Sequence, residues 1–296
     1  MTYYNESTVL FLDGKFVKAA DAKLDLFSQT LHYGYGVFEG IRSYQTIHGT
    51  KVFKATEHYE RLRRSCAAVG IPMTYSVEEL TQLSYQVLEK NNLSNAYLRP
   101  LVFCSPNMSL TAPKEVSVMI AAWDWGKYFD HTSVRLCISS FQRPNPKSLK
   151  VEAKACGHYV NSILATTEAK ERGFDEALML DMNGNVAEGP GANFFFEKEG
   201  VLYTPPLGNI LPGITRQTVL DICKELDIPA IEKHFRPEDL YEADSAFLCG
   251  TAAEITAVES IEGQAFSKPW KKSLGRVIHE AYQSIVLDKS YSYVIV

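Results

Sequence analysis

The sequence has few of the features that mark specialised classes of protein. Its 296 residues contain no block of basic residues and no interleaving of basic with aromatic residues, and the formal net charge is −5. We therefore expect no nucleic acid and no anionic membrane among its partners. With 46% hydrophobic and 22% charged residues, the composition is that of an ordinary soluble globular protein. Chemistry on small metabolites is a better expectation.

Disulfides, metal centres and membrane spans also have little support. The 6 cysteines are scattered without a CxxC pair, which is typical of reduced thiols in a cytoplasmic protein. None of the 7 histidines belongs to an HExxH motif or a paired Cys/His spacing, so no metal is expected. The longest apolar run, VSVMIAAW, is too short to cross a bilayer. The first residues, MTYYNESTVLFLDGKFV, do not have the pattern of a signal peptide.

The pattern along the chain alternates between strands and helices and shows no internal repeat. The first part predicts a hairpin at Asp13-Gly14, then two helices, the second opening with a Ser76–Glu79 capping box. The strands AYLRPLVFC and VSVMIAAWDW follow. We expect a small domain over 1–122, a linker over 123–134 and a larger domain over 135–296.

The larger domain is predicted to contain both hairpins and helices. Its strands are predicted at VRLCISS, SAFLCGT and AVESI, and its hairpins at DEALMLDMNGNVAEG and ANFFFEKEGVLYT. Its helices are predicted at SILATTEAKERGF, ITRQTVLDICKELDI and PWKKSLGRVIHEAYQSIV.

The stretch VEAKACGHYVNS places Lys154 among small residues. A lone lysine is in most cases structural, with its stem on a packed surface and its head in water. In a crevice of small residues, a lysine would instead be partly desolvated and its amine nucleophilic. Such an amine suits a Schiff base with a carbonyl cofactor.

Three further features have a functional interpretation beside a structural one. Glu188 stands at a strand end before a Gly-Pro-Gly turn, where an acid could hold a ring nitrogen protonated. Pro212-Gly213 before a helix and Gly250-Thr251-Ala252 after a strand could cradle phosphate with backbone N–H groups. Arg61 on an amphipathic helix could supply a cation. With Lys154, these features provide the amine, acid and phosphate donors that pyridoxal phosphate requires.

Nearly the whole chain resembles the class IV, fold type IV aminotransferases that use pyridoxal phosphate. Within them it is most similar to the branched-chain amino acid aminotransferases. The resemblance is carried by LHYGYGVFEGIRSY, EHYERL, AYLRPLVF, WDWGKY, AKACGHYVNSILATTEA, GNVAEGPGANFF, LYTPPLGNILPGITR and CGTAAEITAV, in that order. It implies an α+β fold like that of D-amino acid aminotransferase. A small α/β domain would precede a larger, β-barrel-like domain with flanking helices.

The resemblance also implies roles for individual residues. Lys154 matches the Schiff-base lysine, Glu188 the acid on the pyridine nitrogen and Tyr159 the tyrosine beside the phenolic oxygen. The residues that match the phosphate binders are Arg61, Ile214, Thr215 and Thr251. The residues that match the substrate pocket are Tyr33, Phe38, Gly40, Tyr97, Arg99, Leu110, Trp125, Tyr128, Thr251 and Ala252.

Within that pocket the expected tasks differ. The backbone of Thr251 and Ala252 would meet the α-carboxylate of the substrate, and Tyr97 with Arg99 would help accept the second carboxylate of glutamate. The loop at 108–110 would reach across a dimer interface to cover the neighbour's pocket.

The activity that the resemblance implies is transamination of leucine, isoleucine and valine with 2-oxoglutarate. The enzyme would be a cytoplasmic homodimer or a larger assembly of dimers. A D-amino acid aminotransferase, an aminodeoxychorismate lyase or an R-selective amine transaminase would share the fold. A non-catalytic binding protein on the same scaffold is a more remote alternative.

Two residues depart from the usual pattern, and both bear on substrate preference. They are His158, where asparagine is common, and Ala192, where glutamate is frequent.

Overall fold

The computed structural model of the chain describes residues 3–126 and 132–289. The chain divides into two compact units, the first made of 1–126 and 153–158, the second of 127–152 and 159–296. Each unit contains both helices and a sheet, so the α+β class is confirmed. The segment with Lys154 therefore belongs to the first unit. The domain limits at 122 and 135 stay a prediction.

The first unit is built on an antiparallel sheet. Its strands are β1 (Val9–Leu12), β2 (Lys15–Lys18), β3 (Gly36–Phe38), β4 (Ile41–Thr46), β5 (Gly49–Val52), β6 (Ala96–Cys104) and β7 (Val116–Asp124). The order is β2-β1-β7-β6-β4-β5, and β3 also pairs with β6. Tyr97 lies opposite Trp123 in the register of β6 and β7. Since side chains alternate along a strand, Tyr97, Arg99 and Trp123 share one face of this sheet.

Helices cover part of this sheet. They are α1 (Gln29–Tyr33), α2 (Ala55–Ala68) and α3 (Val77–Lys90), with short 3₁₀ turns at Ala19–Asp21 and Cys156–His158. The α3 helix opens with the predicted capping box, in which Ser76 and Glu79 each accept from the other's backbone N–H. Leu62 and Cys66 of α2 are fully buried in the core of the unit. The buried residues of α2 also include His58, Arg61 and Ser65, which is unusual for a helix packed on a core.

The second unit is built on a sheet that closes on itself. Its strands are β8 (Ser133–Ile138), β9 (Glu176–Leu180), β10 (Val186–Glu188), β11 (Asn193–Lys198), β12 (Val201–Thr204), β13 (Ala230–Glu232), β14 (Ser245–Gly250), β15 (Glu254–Ile261) and β16 (Gln264–Ala265). The order is β10-β9-β8-β15-β14-β11-β12-β13, and β10 also pairs with β11. This pairing makes a barrel-like ring of β8, β9, β10, β11, β14 and β15, as predicted. Phe194 and Leu248 are among its fully buried core residues.

Three helices accompany this barrel. They are α4 (Tyr159–Glu171), α5 (Ile214–Glu225) and α6 (Leu274–Val286), with 3₁₀ turns at Pro237–Glu242 and Trp270–Lys272. The α4 helix packs on β9, while α5 and α6 pack on each other and on β14. In the ranges that the structure describes, no helix is long and apolar enough to span a membrane.

Most predicted elements are confirmed, including the hairpins at Asp13-Gly14 and Asn183-Gly184. The sequence interpretation did not assign α1 or β3, β4 and β5. The β4–β5 hairpin turns at Ile47-His48 before Gly49, whose φ is 102°. This connection lacks the Asn-Gly or Asp-Gly pair that announces a tight hairpin, so the pattern gave little signal there.

Candidate functional site

In the first unit, a buried acidic side chain meets one face of α2. Glu39 is fully buried, and its two carboxylate oxygens accept from Arg61 Nε at 2.7 Å and Arg61 Nη2 at 2.9 Å. The ring Nδ1 of His58 lies 2.8 Å from Glu39 Oε2. Burial opposes ionisation of Glu39, but the charges and hydrogen bonds of Arg61 and His58 hold its pKa well below the usual range. Glu39 is therefore a carboxylate, to which His58 donates.

Lys154 is fixed by its backbone beside this cluster. Its N–H donates to Ser65 Oγ at 3.1 Å, and its carbonyl accepts from the N–H of Phe38, also at 3.1 Å. The Lys154 amine lies 5.0 Å from the centre of the Phe38 ring. The side chain is only half-buried, between the buried Ala153 and Ala155. The small neighbours let the chain pass close to β3, which leaves room for an amine beside an aromatic wall.

Aromatic rings surround Arg99 on the face of the first sheet. The guanidinium carbon of Arg99 lies 4.7 Å from the centre of the Phe38 ring, 5.6 Å from Tyr97 and 5.8 Å from Trp123. Tyr97 also packs on Trp125, with 4.9 Å between ring centres. Within the described ranges, Arg99 Nε and Trp123 Nε1 are buried without a hydrogen-bond partner. An apolar enclosure with such donors suits a ligand that is partly aliphatic and partly anionic.

The loop that follows β6 is tied to α1. The side chain of Gln29 donates to the carbonyls of Ser109 and Thr111, and the Tyr33 hydroxyl donates to Met108 O at 3.2 Å. Leu110 at the tip is 88% exposed. The loop is thus anchored at its base and presents an apolar tip to the outside.

In the second unit, Glu188 at the end of β10 is a buried carboxylate with several partners. Arg143 Nε lies 2.9 Å from Glu188 Oε1 in an ion pair, and Asn193 Nδ2 donates to Oε2 at 2.9 Å. The backbone N–H of Leu211 lies 3.1 Å and 3.3 Å from the two oxygens. The ion pair and the two hydrogen-bond donors fix the position of the acid. The arrangement suits an acid that meets a protonated ring nitrogen.

Two backbone segments of this unit were predicted as phosphate sites, and that role stays a prediction. Gly213 precedes α5 without a side-chain cap, so the first N–H groups of the helix, at Ile214 and Thr215, have no partner within the helix. A Cβ at Gly213 would lie 1.9 Å from Asn193 Oδ1, so only glycine fits this approach. The other segment, with Thr251 and Ala252, is the tight turn between β14 and β15.

The predicted site residues are divided between the two units. The group in the first unit comprises Tyr33, Phe38, Gly40, Arg61, Tyr97, Arg99, Leu110, Trp125 and Lys154. The group in the second unit comprises Tyr159, Glu188, Ile214, Thr215, Thr251 and Ala252. Tyr128 lies outside the described residues. Arg61, predicted as a phosphate binder, is paired with Glu39, and its role stays a prediction.

Sequence reasoning missed four residues of these groups, namely Glu39, His58, Arg143 and Asn193. Glu39, His58 and Asn193 all stood inside the motifs that carried the resemblance, and His58 precedes Arg61 on its helix by about one turn. Arg143 belonged to the loop QRPNPKS, which gave no sign of its partner. Pairs of charges that form only after folding have no local pattern, so only the motifs themselves could have pointed to these positions.

The two departures from the family pattern are both buried. His158 ends the 3₁₀ turn after Lys154 and is 7% exposed, and Ala192 is 9% exposed in the barrel core. The carbonyl of Ala192 accepts from the N–H of Gly189 at 2.8 Å, within the turn that follows Glu188. Their effect on substrate preference stays a prediction.

No cluster of metal-ligating side chains occurs in 3–126 or 132–289.

Comparison with known proteins gives consistent matches over nearly the full length. The sequence profile of the amino-transferase class IV family matches residues 36–261. A branched-chain-amino-acid aminotransferase of Pseudomonas aeruginosa is 38% identical over 299 residues, which cover 99% of this chain and 97% of that protein.

Solved structures match the fold as closely. The branched-chain aminotransferase of the thermophilic archaeon Thermoproteus uzoniensis, crystallised with norvaline, matches with a TM-score of 0.92 at 42% identity over 96% of both chains. The branched-chain amino acid aminotransferase of Thermobaculum terrenum, in its PLP form, matches with a TM-score of 0.89 at 29% identity over 96% of this chain and 95% of that chain. These matches confirm the fold class predicted from the sequence.

Proposed function

Because the chain belongs to the class IV aminotransferases, we propose that it transfers amino groups between branched-chain L-amino acids and 2-oxoglutarate. The amino acids are leucine, isoleucine and valine, and the products are their 2-oxo acids and L-glutamate. The cofactor is pyridoxal 5'-phosphate. The observation that carries this proposal is Arg99 within its enclosure of Phe38, Tyr97 and Trp123. Such a site can hold an aliphatic side chain and, in the other half of the reaction, a carboxylate.

The residues present fit the cofactor. An uncapped helix start at Gly213, a half-buried lysine and a buried carboxylate are the three kinds of group that its phosphate, aldehyde and ring nitrogen need. Lys154 would attach it, Glu188 would meet its ring nitrogen and Tyr159 its phenolic oxygen. Its phosphate would be held by Arg61, Ile214, Thr215 and Thr251. When bound, the cofactor supplies a protonated ring that accepts the electron pair released as the Cα–H bond of the substrate breaks.

The protein's part in the reaction is to move one proton and to hold another. Once the amino group of the substrate has taken its place on the cofactor, the freed Lys154 amine would be the base that takes the proton from Cα of the amino acid. The Lys154 backbone is hydrogen-bonded to Ser65 and Phe38, and these bonds keep the amine beside the Phe38 ring. The Glu188 carboxylate holds the proton on the ring nitrogen, and its partners Arg143 and Asn193 keep it in place. Fixed charges of this kind need no rearrangement during the reaction.

Substrate selection depends on the enclosure around Arg99. A leucine side chain would replace water on the rings of Phe38 and Tyr97, which is favourable because apolar surface is buried. The second carboxylate of 2-oxoglutarate would instead meet Arg99, whose buried Nε lacks a hydrogen-bond partner in the described part of the chain. One pocket then serves both substrates, since an arginine surrounded by rings presents either a cationic or an apolar surface.

The proposal is tested by following the visible absorbance of the bound cofactor during additions of substrate. L-leucine and L-glutamate should each remove the yellow absorbance, and their 2-oxo acids should restore it. A response to D-alanine alone would instead support a D-amino acid aminotransferase, and release of pyruvate from aminodeoxychorismate would support the lyase. No yellow absorbance at all would contradict the role of Lys154.

Two variants separate the roles within the site. Lys154→Ala should abolish turnover and leave the thermal unfolding transition in place, whereas Lys150→Ala, which removes an exposed lysine nearby, should be as active as the wild type. Arg99→Ala should lower kcat/KM for glutamate by about 10- to 160-fold, since a charge-assisted hydrogen bond contributes roughly 1.5–3 kcal/mol. It should affect leucine much less, and equal losses would contradict the assignment of Arg99.

We also infer that two copies of the chain associate. Leu26, Phe27 and Leu31 are exposed large apolar residues around α1, and Leu110 is exposed on the loop that α1 anchors. Several large apolar side chains exposed around one helix and on the loop tied to it are typical of a subunit interface. Leu31→Asp should lower the molar mass measured by light scattering and reduce activity in parallel.

We further propose a cytoplasmic location, in line with the absence of disulfides among the six cysteines.

A further inference from the structure

A fully buried carboxylate that no proposed step uses stands at the centre of the first unit. Glu39 occupies the turn between β3 and β4, flanked by Phe38 and Gly40 of the predicted pocket. Its side chain accepts from Arg61, from His58 and, at 3.2 Å, from the N–H of Gly40. Its own N–H donates to Pro100 O at 2.9 Å, so the backbone of the turn is fixed as well.

The partners of Glu39 and of Lys154 come from one face of α2. His58, Arg61 and Ser65 are spaced by three and four residues, which places them on the same side of a helix. His58 and Arg61 bind the Glu39 side chain, while Ser65 Oγ accepts from the Lys154 N–H at 3.1 Å. One face of α2 therefore binds both the segment that contains Lys154 and the turn that contains Glu39, and fixes their relative position.

The geometry of the pair fixes the arginine. Glu39 binds both Nε and Nη2, at 2.7 Å and 2.9 Å, which sets the plane of the Arg61 guanidinium as well as its position. A buried ion pair is weak evidence for stability, because the cost of removing both charges from water offsets most of the attraction. Its use here is better explained by orientation, since two bonds to one carboxylate hold the planar guanidinium in a fixed position.

We propose that Glu39 is a positioning residue that holds the Arg61 guanidinium in the orientation in which it binds the phosphate of pyridoxal phosphate. The inference rests on the proposed function, which assigns Arg61 to that phosphate. Glu39 itself need not touch the cofactor. It acts through Arg61, and it holds the N–H of Gly40 in the adjoining pocket.

The test compares two ligands on full-length protein freed of cofactor, pyridoxal 5'-phosphate and pyridoxal, which differ only in the phosphate. Glu39→Gln removes the charge and keeps the shape. It should weaken binding of pyridoxal phosphate about tenfold and leave binding of pyridoxal unchanged. The matched control is Glu197→Gln, which removes a buried carboxylate bound to Lys268, Ser245 and the Leu274 N–H in the second unit. It should leave the ratio of the two dissociation constants at the wild-type value.

A double-mutant cycle with Arg61→Gln shows whether Glu39 acts through Arg61. Arg61→Gln alone should also lower affinity for pyridoxal phosphate selectively, and adding Glu39→Gln should then cost little more. If Arg61→Gln leaves the ratio unchanged, the assignment of Arg61 in the proposed function is wrong. The positioning role is overturned if Arg61→Gln changes the ratio of the two dissociation constants but Glu39→Gln does not. It is also overturned if Glu39→Gln raises the affinity for pyridoxal phosphate, or if it weakens the binding of both ligands equally.

A milder variant keeps the inference testable should Glu39→Gln fail to fold. His58→Phe keeps a ring at this position, removes one donor to the carboxylate and leaves the Arg61 pair in place. It should lower the selectivity for pyridoxal phosphate over pyridoxal about threefold, and an unchanged ratio in folded His58→Phe protein would overturn the proposal.

Discussion

Replacement of Gly40 by alanine tests the pocket geometry with a single methyl group. A Cβ built at Gly40 lies 1.8 Å from the hydroxyl oxygen of Tyr97 and 2.6 Å from its Cζ. The backbone of Gly40 does not have a positive φ, so alanine meets no strain there other than this contact. The three atoms nearest to that Cβ all belong to Tyr97, so the substitution acts first on Tyr97.

The size of the effect follows from these distances. Real Cβ atoms essentially never approach another heavy atom within 3.0 Å, so the Tyr97 hydroxyl must move by at least about 1.2 Å. Tyr97 cannot move without disturbing Trp125, Trp123 and Arg99, which pack on its ring. A misplacement of roughly 1 Å in a substrate-binding group can cost about 100-fold in rate. We expect a loss of that order in kcat/KM for glutamate, together with an overpacking cost of about 1–3 kcal/mol in stability.

The assay is steady-state kinetics with leucine and with glutamate, beside a denaturation curve. The Tyr97→Phe variant supplies the control, because it removes the atom that the new methyl group meets first. In the Tyr97→Phe background the Gly40→Ala penalty should shrink and remain partly visible, since Cζ is still within 2.6 Å. A Gly40→Ala enzyme with wild-type kcat/KM for glutamate, or a penalty of the same size in both backgrounds, would refute this reasoning.

Two further predictions concern buried charges. Arg143→Met should lower the free energy of unfolding by about 3 kcal/mol, measured by denaturant titration, because it leaves the buried Glu188 without its cation; Lys147→Met, at an exposed position in the same loop, should cost almost nothing. Burial, with the charges of Arg61 and Lys154, lowers the pKa of His58 from its ordinary value of 6.5, despite the opposing effect of Glu39. As the pH falls below 6.5, the unfolded chain binds this proton first, so stability is greatest above that pH and declines below it. In the His58→Gln variant, the free energy of unfolding should decline less steeply just below pH 6.5. A slope equal to that of the wild type would contradict this prediction.

The sequence predicted elements and motifs better than it predicted partners. The capping box at Ser76 and the hairpin at Asp13-Gly14 are local patterns, in which the residues that interact are neighbours along the chain. The pairing of β10 with β11, which closes the barrel, has only a weak local signal because a glycine-rich turn joins the strands. The general form of the barrel came instead from the resemblance to a known family.

The same limit applies to the candidate site. Lys154 and Glu188 could be proposed from the sequence because their immediate neighbours were unusual. Arg143 could not, since 45 residues separate it from Glu188 and nothing beside it indicates an ion pair. Glu39 and Arg61 are 22 residues apart and stand in different motifs. Interactions between distant positions depend on the packing of whole elements, which a single sequence does not encode in any local pattern.

The two buried acid–arginine pairs have a common physical reason. Glu39 with Arg61 in the first unit, and Glu188 with Arg143 in the second, each combine a candidate cofactor-binding residue with an opposite charge. An isolated charge at such a depth would be too costly, and a neutral side chain would offer the cofactor no electrostatic attraction. A pair keeps the charged side chain in place before the cofactor binds. The free energy needed to orient that side chain is then part of folding, and binding needs little rearrangement. If this is the reason for both pairs, replacing Arg143 by lysine should preserve most of the stability and still weaken binding of pyridoxal phosphate, because a lysine retains the charge but not the fixed geometry.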